Sequence, residues 1–202
     1  MKASSEGDRP VIGLRERKKA KTRAAIQRHA LRLFREQGYE ATTVEQIAAA
    51  AEVSPSTFFR YFPTKEDVVL YDAIDPLFIT AFEAQPAELS PIQAMRGALQ
   101  RVFASLPAEE LDRQWERGRF ILAVPELRMR MLDQLVEAVQ VTAELLAKRV
   151  GRRADDFVMR TYAGAVVGAV MSALLTGIND PAADLVALMD ASLAYVEAGL
   201  PL

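Results

Sequence analysis

At 202 residues, half of them hydrophobic and 26% charged, the chain has the composition of a folded protein with a sizeable core, enough for one large helical unit or a small unit joined to a larger one. It has no Cys and one His, which excludes a disulfide framework, a thiolate nucleophile, a thiolate zinc site and a histidine-based metal cluster. The net charge of -2 hides an asymmetry: residues 1–65 hold 13 Lys/Arg against 7 Asp/Glu, while residues 66–202 hold 12 against 20, so the N-terminal part is the one suited to attract phosphate.

Residues 1–13 are polar, contain Gly7, Pro10 and Gly13 and show no period, which predicts a mobile tail. The first ten lack the apolar core of a secretory signal, and a cytoplasmic location is expected. From Leu14 a strong amphipathic helix follows, with Ile26, Ala30, Leu33 and Phe34 on one face and a stop at Gly38. Thr43, with Gln46 three residues on, has the spacing of a capping box and opens a short second helix whose inner face is Ile47, Ala48 and Ala51. Glu52 and Val53 make a tight turn. Ser54-Pro55 is a preferred N-cap and N1 pair, so a third helix runs to about Tyr61. Thr64 with Asp67 caps a fourth, expected to reach about Ala84 and to be kinked or divided by Pro76.

Beyond Pro86 the pattern stays helical, with breaks near Ser90-Pro91, Leu106-Pro107, Pro125, Gly151 and residues 179–181. These predict helices over about 91–105, 108–122, 126–150, 155–177 and 182–198. The apolar run 163–175 falls short of the roughly 18 to 20 residues a membrane span needs, and no membrane partner is expected. No run alternates as a strand would, and no Gly-rich phosphate loop is present, so the fold class is all-α.

Two short helices flanking a turn, at 44–62, have the form of a helix-turn-helix, in which the second helix enters the major groove and the first braces it. Phe58 and Phe62, with Val53, supply the inner stripe. Ser54, Pro55, Ser56, Thr57, Phe59, Arg60 and Tyr61 are then wholly or partly outside, because consecutive large residues cannot all share one helical face. Small hydroxyls permit close approach, Arg60 suits guanine or phosphate, and Tyr61 can donate to a phosphate. Lys65 stands at the start of the next helix, also suited to phosphate.

The run R-x-A-I-x-x-x-A-x-x-L-F-x-x-x-G-Y-x-x-T-T-V-x-x-I-A-x-x-A-x-V-S-x-x-T-F-F-R-Y-F-x-x-K-E-x-V, residues 23–68, resembles the DNA-binding domain of TetR-family repressors without a gap. The resemblance implies a three-helix DNA-binding domain over 14–66 and a helical ligand-binding and dimerisation domain over 67–202. It also implies phosphate contacts from Thr42, Thr43 and Lys65, and a recognition helix comprising Ser54 to Thr57 and Phe59 to Tyr61. Ser56 departs from the Gly of many relatives, and Pro55 from their basic or small residue. The implied protein is a homodimeric repressor on a near-palindromic DNA operator, with no cofactor.

In the second domain, Gly164, Gly168 and Ser172 are spaced by four and allow another helix to approach closely. Leu185, Leu188, Met189, Ser192, Leu193 and Val196 share one side of the last helix. Either a four-helix interface between two subunits or a helix pair inside one subunit satisfies this pattern; the family resemblance favours the interface, with a homodimer through the last two helices. The phrase E-R-G-R-F-I-L-A-V-P-E-L-R-M-R, residues 116–130, resembles the mycofactocin-type subgroup, which implies an acyl-CoA-like effector. A long apolar chain with an anionic head needs an apolar lining and an Arg at the mouth. Phe78, Phe82, Trp115, Arg117, Arg119 and Phe120 are the candidates, and plain core or solvated surface is the other reading of each. As for an enzyme, His29 lies among basic and Ala residues, and the pairs Glu109-Glu110 and Asp155-Asp156 fit first helical turns, so no catalytic set emerges.

Overall fold

The computed structural model describes residues 14–178, 180 and 182–201, so the tail expected at 1–13 lies outside the described residues. The described residues form ten helices and no strand. They divide into two compact units, one ending at Val69 and the other beginning at Leu70.

The first unit contains α1 (Leu14–Gln37), α2 (Val44–Ala50), α3 (Pro55–Tyr61) and most of α4 (Lys65–Leu70). Helices of six or seven residues are too short to hold themselves together in water. Tertiary packing and caps do it instead. Ile26, Ala30 and Phe34 of α1 form a buried stripe, and Ile47, Phe58, Phe62, Val68 and Val69 complete the core. Gln27 Nε2 donates to the Val68 carbonyl at 2.9 Å, fixing the end of α4 against α1.

The second unit contains α5 (Asp75–Glu83), α6 (Pro91–Ser105), α7 (Ala108–Ala123), α8 (Pro125–Val150), α9 (Phe157–Gly177) and α10 (Leu185–Glu197). α10 packs on α9 and α6, α8 on α9 and α7, and α5 on α6. Phe82, Met95, Leu99, Leu146, Val166, Met189 and Leu193 lie in their common core. Arg96 of α6 holds α10 with a fork on Asp190, at 2.9 and 3.0 Å, and a further bond to Glu197 at 2.9 Å. The guanidinium hydrogen bond keeps the Asp190 carboxyl below the usual carboxylate range. Gly177 lets α10 cross close to α9: a Cβ there would stand 2.5 Å from Leu185 Cδ2 and 2.6 Å from Leu188 Cδ1, side-chain ends that would have to move aside.

Three expected boundaries move. The helix expected over 64–84 is divided: α4 ends at Leu70, and Pro76 sits in the first turn of α5, where its missing N–H costs nothing. α9 starts at Phe157 because Asp156 caps it, accepting from Val158 N, and α10 starts at Leu185 because Asp184 accepts from Ala187 N. The apolar stretch at 163–175 thus belongs to a 21-residue helix with an apolar window of mean hydropathy 1.5, long and apolar enough to cross a membrane by length and composition. Only 22% of that window is buried in the protomer.

Candidate nucleic-acid interface

The reading helix is positioned by hydrogen bonds that begin before it. Thr43 Oγ1 accepts from Gln46 N while Gln46 Oε1 accepts from Thr43 N, closing the capping box of α2. Gln37 at the end of α1 donates to both Gln46 Oε1, at 2.8 Å, and Thr42 Oγ1, at 3.1 Å, which ties the two helices together. After Ala51 the chain reverses through Glu52, whose φ of 55° lies in the left-handed region, and Val53 N returns to the Ala48 carbonyl at 2.9 Å. Ser54 then caps α3, its Oγ accepting from Thr57 N at 3.1 Å. The hydroxyls of Ser56 and Thr57 cluster on the same Oγ, at 2.9 and 3.0 Å.

Two rings decide which way α3 turns. Phe58 is 0% exposed and Phe62 2%, with centroids 6.0 Å apart, so this face is spent on the core. Ser54, Pro55, Ser56, Phe59 and Arg60 are exposed, and Thr57 and Tyr61 are half-buried. Phe59 keeps half of its surface in solvent although its ring meets Phe58 edge-on at 5.4 Å. Leaving an aromatic in water at the centre of an otherwise polar face is unfavourable, so the free protein gains nothing from Phe59 there. Tyr61 is flanked by two guanidinium groups, Arg60 at 5.5 Å and Arg23 of α1 at 5.9 Å from its ring centre. The face thus combines small hydroxyls, one apolar ring and a concentration of positive charge.

Two residues expected at DNA are otherwise employed. Thr42 is 1% exposed, and its hydroxyl donates to the Gly38 carbonyl at 2.7 Å while accepting from Gln37. Its role is to terminate α1, and its side chain is not available to a phosphate; Thr43, next to it, is exposed. Lys65 Nζ donates to the carbonyls of Tyr39, at 2.9 Å, and Thr42, at 3.2 Å, and lies 4.1 Å from the centre of the Tyr39 ring. Lys65 therefore braces the α1–α2 connection first, and one of its three N–H groups remains for another acceptor. The Tyr39 hydroxyl donates to Glu66 Oε1 at 2.6 Å, so Lys65-Glu66 grips Tyr39 from both sides. The G-Y and K-E pairs quoted from the sequence are parts of one structural clasp, a connection that their separation of 26 residues concealed. His29, half-buried on α1, has its imidazole pushed below the usual value by burial and by the neighbouring Arg28 and Arg32.

The six residues expected at a ligand differ in burial and in partners. Phe82 is core, at 2% exposure, and Phe78 and Trp115 are half-buried against the same cluster, Trp115 stacking on Phe103 at 5.6 Å. Arg117 is buried and committed to Asp72 at 2.5 Å, Gln114 Oε1 at 3.0 Å and the Leu70 carbonyl at 3.4 Å. It is an internal brace rather than a cation at a mouth. Arg119 is exposed and donates Nε to the Ile178 carbonyl at 2.8 Å; Phe120 beside it is half-buried. A depression of about 520 Å³ lies elsewhere, at the junction of α9 and α10, lined by Thr176, Gly177, Asp184, Ala187, Leu188 and Ala191 among others.

Of the six α10 residues expected at an interface, three turn into the protomer's own core, and Ser192 is half-buried. Leu185, Met189 and Leu193 are 5%, 3% and 1% exposed, and Leu188 and Val196 are half-buried against the same core. The open side of α10 is Ala187, Ala191 and Tyr195, the last 59% exposed. On α9 the small residues do face outward. Gly168 and Ser172 are exposed, with Phe157, Thr161, Ala165 and Leu175 continuing the stripe, and a Cβ at Gly164 or Gly168 would meet no atom within 4 Å.

Comparison with known proteins agrees with both halves. Residues 26–71 match the bacterial regulatory proteins of the tetR family, and residues 89–201 match the MftR C-terminal domain. The transcriptional regulator TcmR of Streptomyces glaucescens is 41% identical over 165 residues, covering 78% of this chain and 73% of that protein. MftR of Mycobacterium tuberculosis is 29% identical over 195 residues, covering 91% and 93%. Among solved structures, FadR of Thermus thermophilus, a repressor in complex with lauroyl-CoA, is 25% identical with a TM-score of 0.58, covering 89% of this chain and 95% of that one. SmeT, the repressor of a Stenotrophomonas maltophilia multidrug efflux pump, is 20% identical with a TM-score of 0.59, covering 88% and 89%.

Proposed function

Since the chain belongs to the TetR family of transcriptional regulators and carries an MftR-type C-terminal domain, we propose that it is a homodimeric repressor released from a near-palindromic operator by an acyl-CoA-like ligand. The observation that carries the DNA side is the division of α3. Phe58 and Phe62 are given up to the core, while Ser54, Pro55, Ser56, Phe59 and Arg60 are left outside with half-buried Thr57 and Tyr61. In the groove the hydroxyls and Arg60 address base edges, Phe59 finds an apolar partner in a thymine methyl, and Tyr61 and Thr43 reach phosphates. The remaining N–H of Lys65 adds a phosphate contact without surrendering its brace.

The dimer is inferred from the unburied side of α9. A helix this apolar, with Phe157 at 81% and Leu175 at 52% exposure, is stable in water when a second copy covers it. Gly168, Ser172 and Ala191 let the backbones of a two-fold partner come close. Two reading helices about 34 to 36 Å apart then meet successive major-groove faces of one operator.

For the effector, the lauroyl-CoA held by Thermus thermophilus FadR supports an acyl-CoA. Arg119 is the exposed cation of the six candidate residues and is offered for the anionic head, with Trp115 and Phe120 on the same helix and Phe78 on α5 as apolar candidates for the chain. Release requires that the ligand bind best to a conformation that fits DNA poorly, since equal affinity for both conformations shifts nothing. A mobility-shift assay on the region upstream of the chain's own gene, with and without lauroyl-CoA, tests both parts. Sequence-specific binding abolished by lauroyl-CoA is expected. Absence of sequence-specific binding overturns the repressor; binding indifferent to lauroyl-CoA overturns the ligand and leaves the repressor standing.

A further inference from the structure

The start of α1 is built against the ordinary rules of helix stability. Between residues 14 and 23 the sequence carries six Lys or Arg and one acidic residue. A helix N-terminus has about half a positive charge and favours acidic side chains. Arg15 is spaced three and four residues from Lys18 and Lys19, and Lys21 likewise from Lys18 and Arg17, where like charges destabilise a helix by about 0.2–0.5 kcal/mol per pair. Packing does not compensate: Arg15, Arg17, Lys18, Lys19 and Lys21 are all exposed, and the first fully buried side chain of α1 is Ile26. A polyanion alongside reverses the sign of each of these effects.

The register says where that polyanion lies. The stripe that is buried at Ile26, Ala30 and Phe34 continues towards the N-terminus through Arg23, Lys19 and Arg15, changing from apolar to cationic as it leaves the core. Arg23 stands against Tyr61, at the end of α3, and Arg60 stands against the same ring. At 1.5 Å per residue, Lys19 is about 6 Å and Arg15 about 12 Å farther along the axis than Arg23. Arg60, Tyr61, Arg23, Lys19 and Arg15 therefore form one ribbon that begins on the reading helix and runs out along α1.

We propose that Arg15 and Lys19 are a second, sequence-independent DNA contact, gripping the phosphate backbone beside the groove that α3 enters. This rests on the reading of α3 as the DNA-reading helix and adds to it a site outside the family match, which begins at residue 26. One strand of duplex DNA carries about one charge per 3.4 Å of axis, so a ribbon about 12 Å long faces about three or four phosphate charges of one backbone. Two cations per protomer neutralise some of them and release their counterions.

The test uses the full chain and a mixed-sequence duplex of about 30 base pairs, which accommodates both half-sites of a dimer. Affinity is measured by anisotropy from about 50 to 200 mM salt for the natural chain, R15Q/K19Q and R17Q/K21Q. The two variants lose the same charge, but Arg17 and Lys21 lie on the opposite side of α1 at 100° per residue. The salt slope is expected to flatten by about 0.9 per lost contact, about 3 to 4 in the R15Q/K19Q dimer, and by less than about 1 in R17Q/K21Q. Equal slopes for the two variants mean a diffuse field and overturn the proposal, as does an unchanged slope in R15Q/K19Q. Binding of the natural chain to phosphatidylglycerol vesicles in preference to the duplex, lost in R15Q/K19Q, assigns the arm to a membrane and also overturns it. If the natural chain binds no duplex, the DNA reading of α3 falls as well; if it binds and only the slopes fail, the arm falls alone.

Discussion

Replacing Asp72 by Ala strands a buried cation, and its cost can be estimated from the contacts of Arg117. This side chain keeps 10% of its surface and distributes its donors among Asp72 at 2.5 Å, Gln114 at 3.0 Å and the Leu70 carbonyl at 3.4 Å. Removing one partner of a fully buried ion pair costs about 3–5 kcal/mol. Asp72 retains 29% exposure, so water re-enters the vacated position and about 2 kcal/mol is the expected loss. In Arg117→Met, Asp72 keeps solvent and the Ile74 N–H at 2.8 Å, which limits the loss to about 1 kcal/mol. The double variant has no stranded charge and is expected to cost little more than R117M, giving a coupling of about 1–2 kcal/mol. Urea unfolding of the four proteins measures this, at one fixed concentration because the stability of a dimer depends on it. A coupling below about 0.5 kcal/mol would refute the claim that Arg117 is committed to Asp72 and return it to the ligand candidates.

Glu52→Gly should raise the melting midpoint, because a left-handed φ of 55° costs a side chain about 1 kcal/mol that Gly avoids; a lower midpoint contradicts the strain. Because His29 binds its proton less well when folded than when unfolded, stability is complete above about pH 6.5 and declines as pH falls through the window beneath it. H29Q should flatten that decline, and parallel midpoint-against-pH curves for the two proteins would count against it. Gly168→Glu puts a charge on the open stripe of α9, where it meets nothing within the protomer. Sedimentation should show a monomer with unchanged helix content, and a persistent dimer would remove α9 from the interface.

The first unit is legible because its signals are local. Thr43 with Gln46, Ser54 with Pro55, and Thr64 with Asp67 each specify a helix start within four residues; the first and last pairs are bonded to each other, and Ser54 accepts from Thr57 N. The inward turn of Phe58 and Phe62 follows from helical period alone. Burial that depends on a distant partner is less visible. Thr42 and Thr43 are adjacent hydroxyls, yet Gln37 and the Gly38 carbonyl claim one and leave the other in solvent. Lys65 looks like a free surface cation until Tyr39, 26 residues away, is found beneath it. Arg117 and Arg119 cannot be told apart by type or neighbourhood, and only the fold reveals that one meets Asp72 and the other the Ile178 carbonyl.

The last two helices show why an apolar pattern alone does not say which surface one subunit leaves open. On α10 the large residues Leu185, Met189 and Leu193 are the strongest hydrophobic signal, and the protomer's own core absorbs them. On α9 the open stripe is read from Gly168 and Ser172, residues that contribute almost no hydrophobicity. The difference is physical: large side chains fill the space between helices of one subunit, whereas a two-fold contact between backbones needs its space left empty until the partner arrives. The informative quantity is thus the apolar helix whose surface its own subunit fails to bury. On α9 that surface is the exposed stripe of Phe157, Thr161, Ala165, Gly168, Ser172 and Leu175, and the proposed dimer requires a second copy of the same stripe to match it in shape.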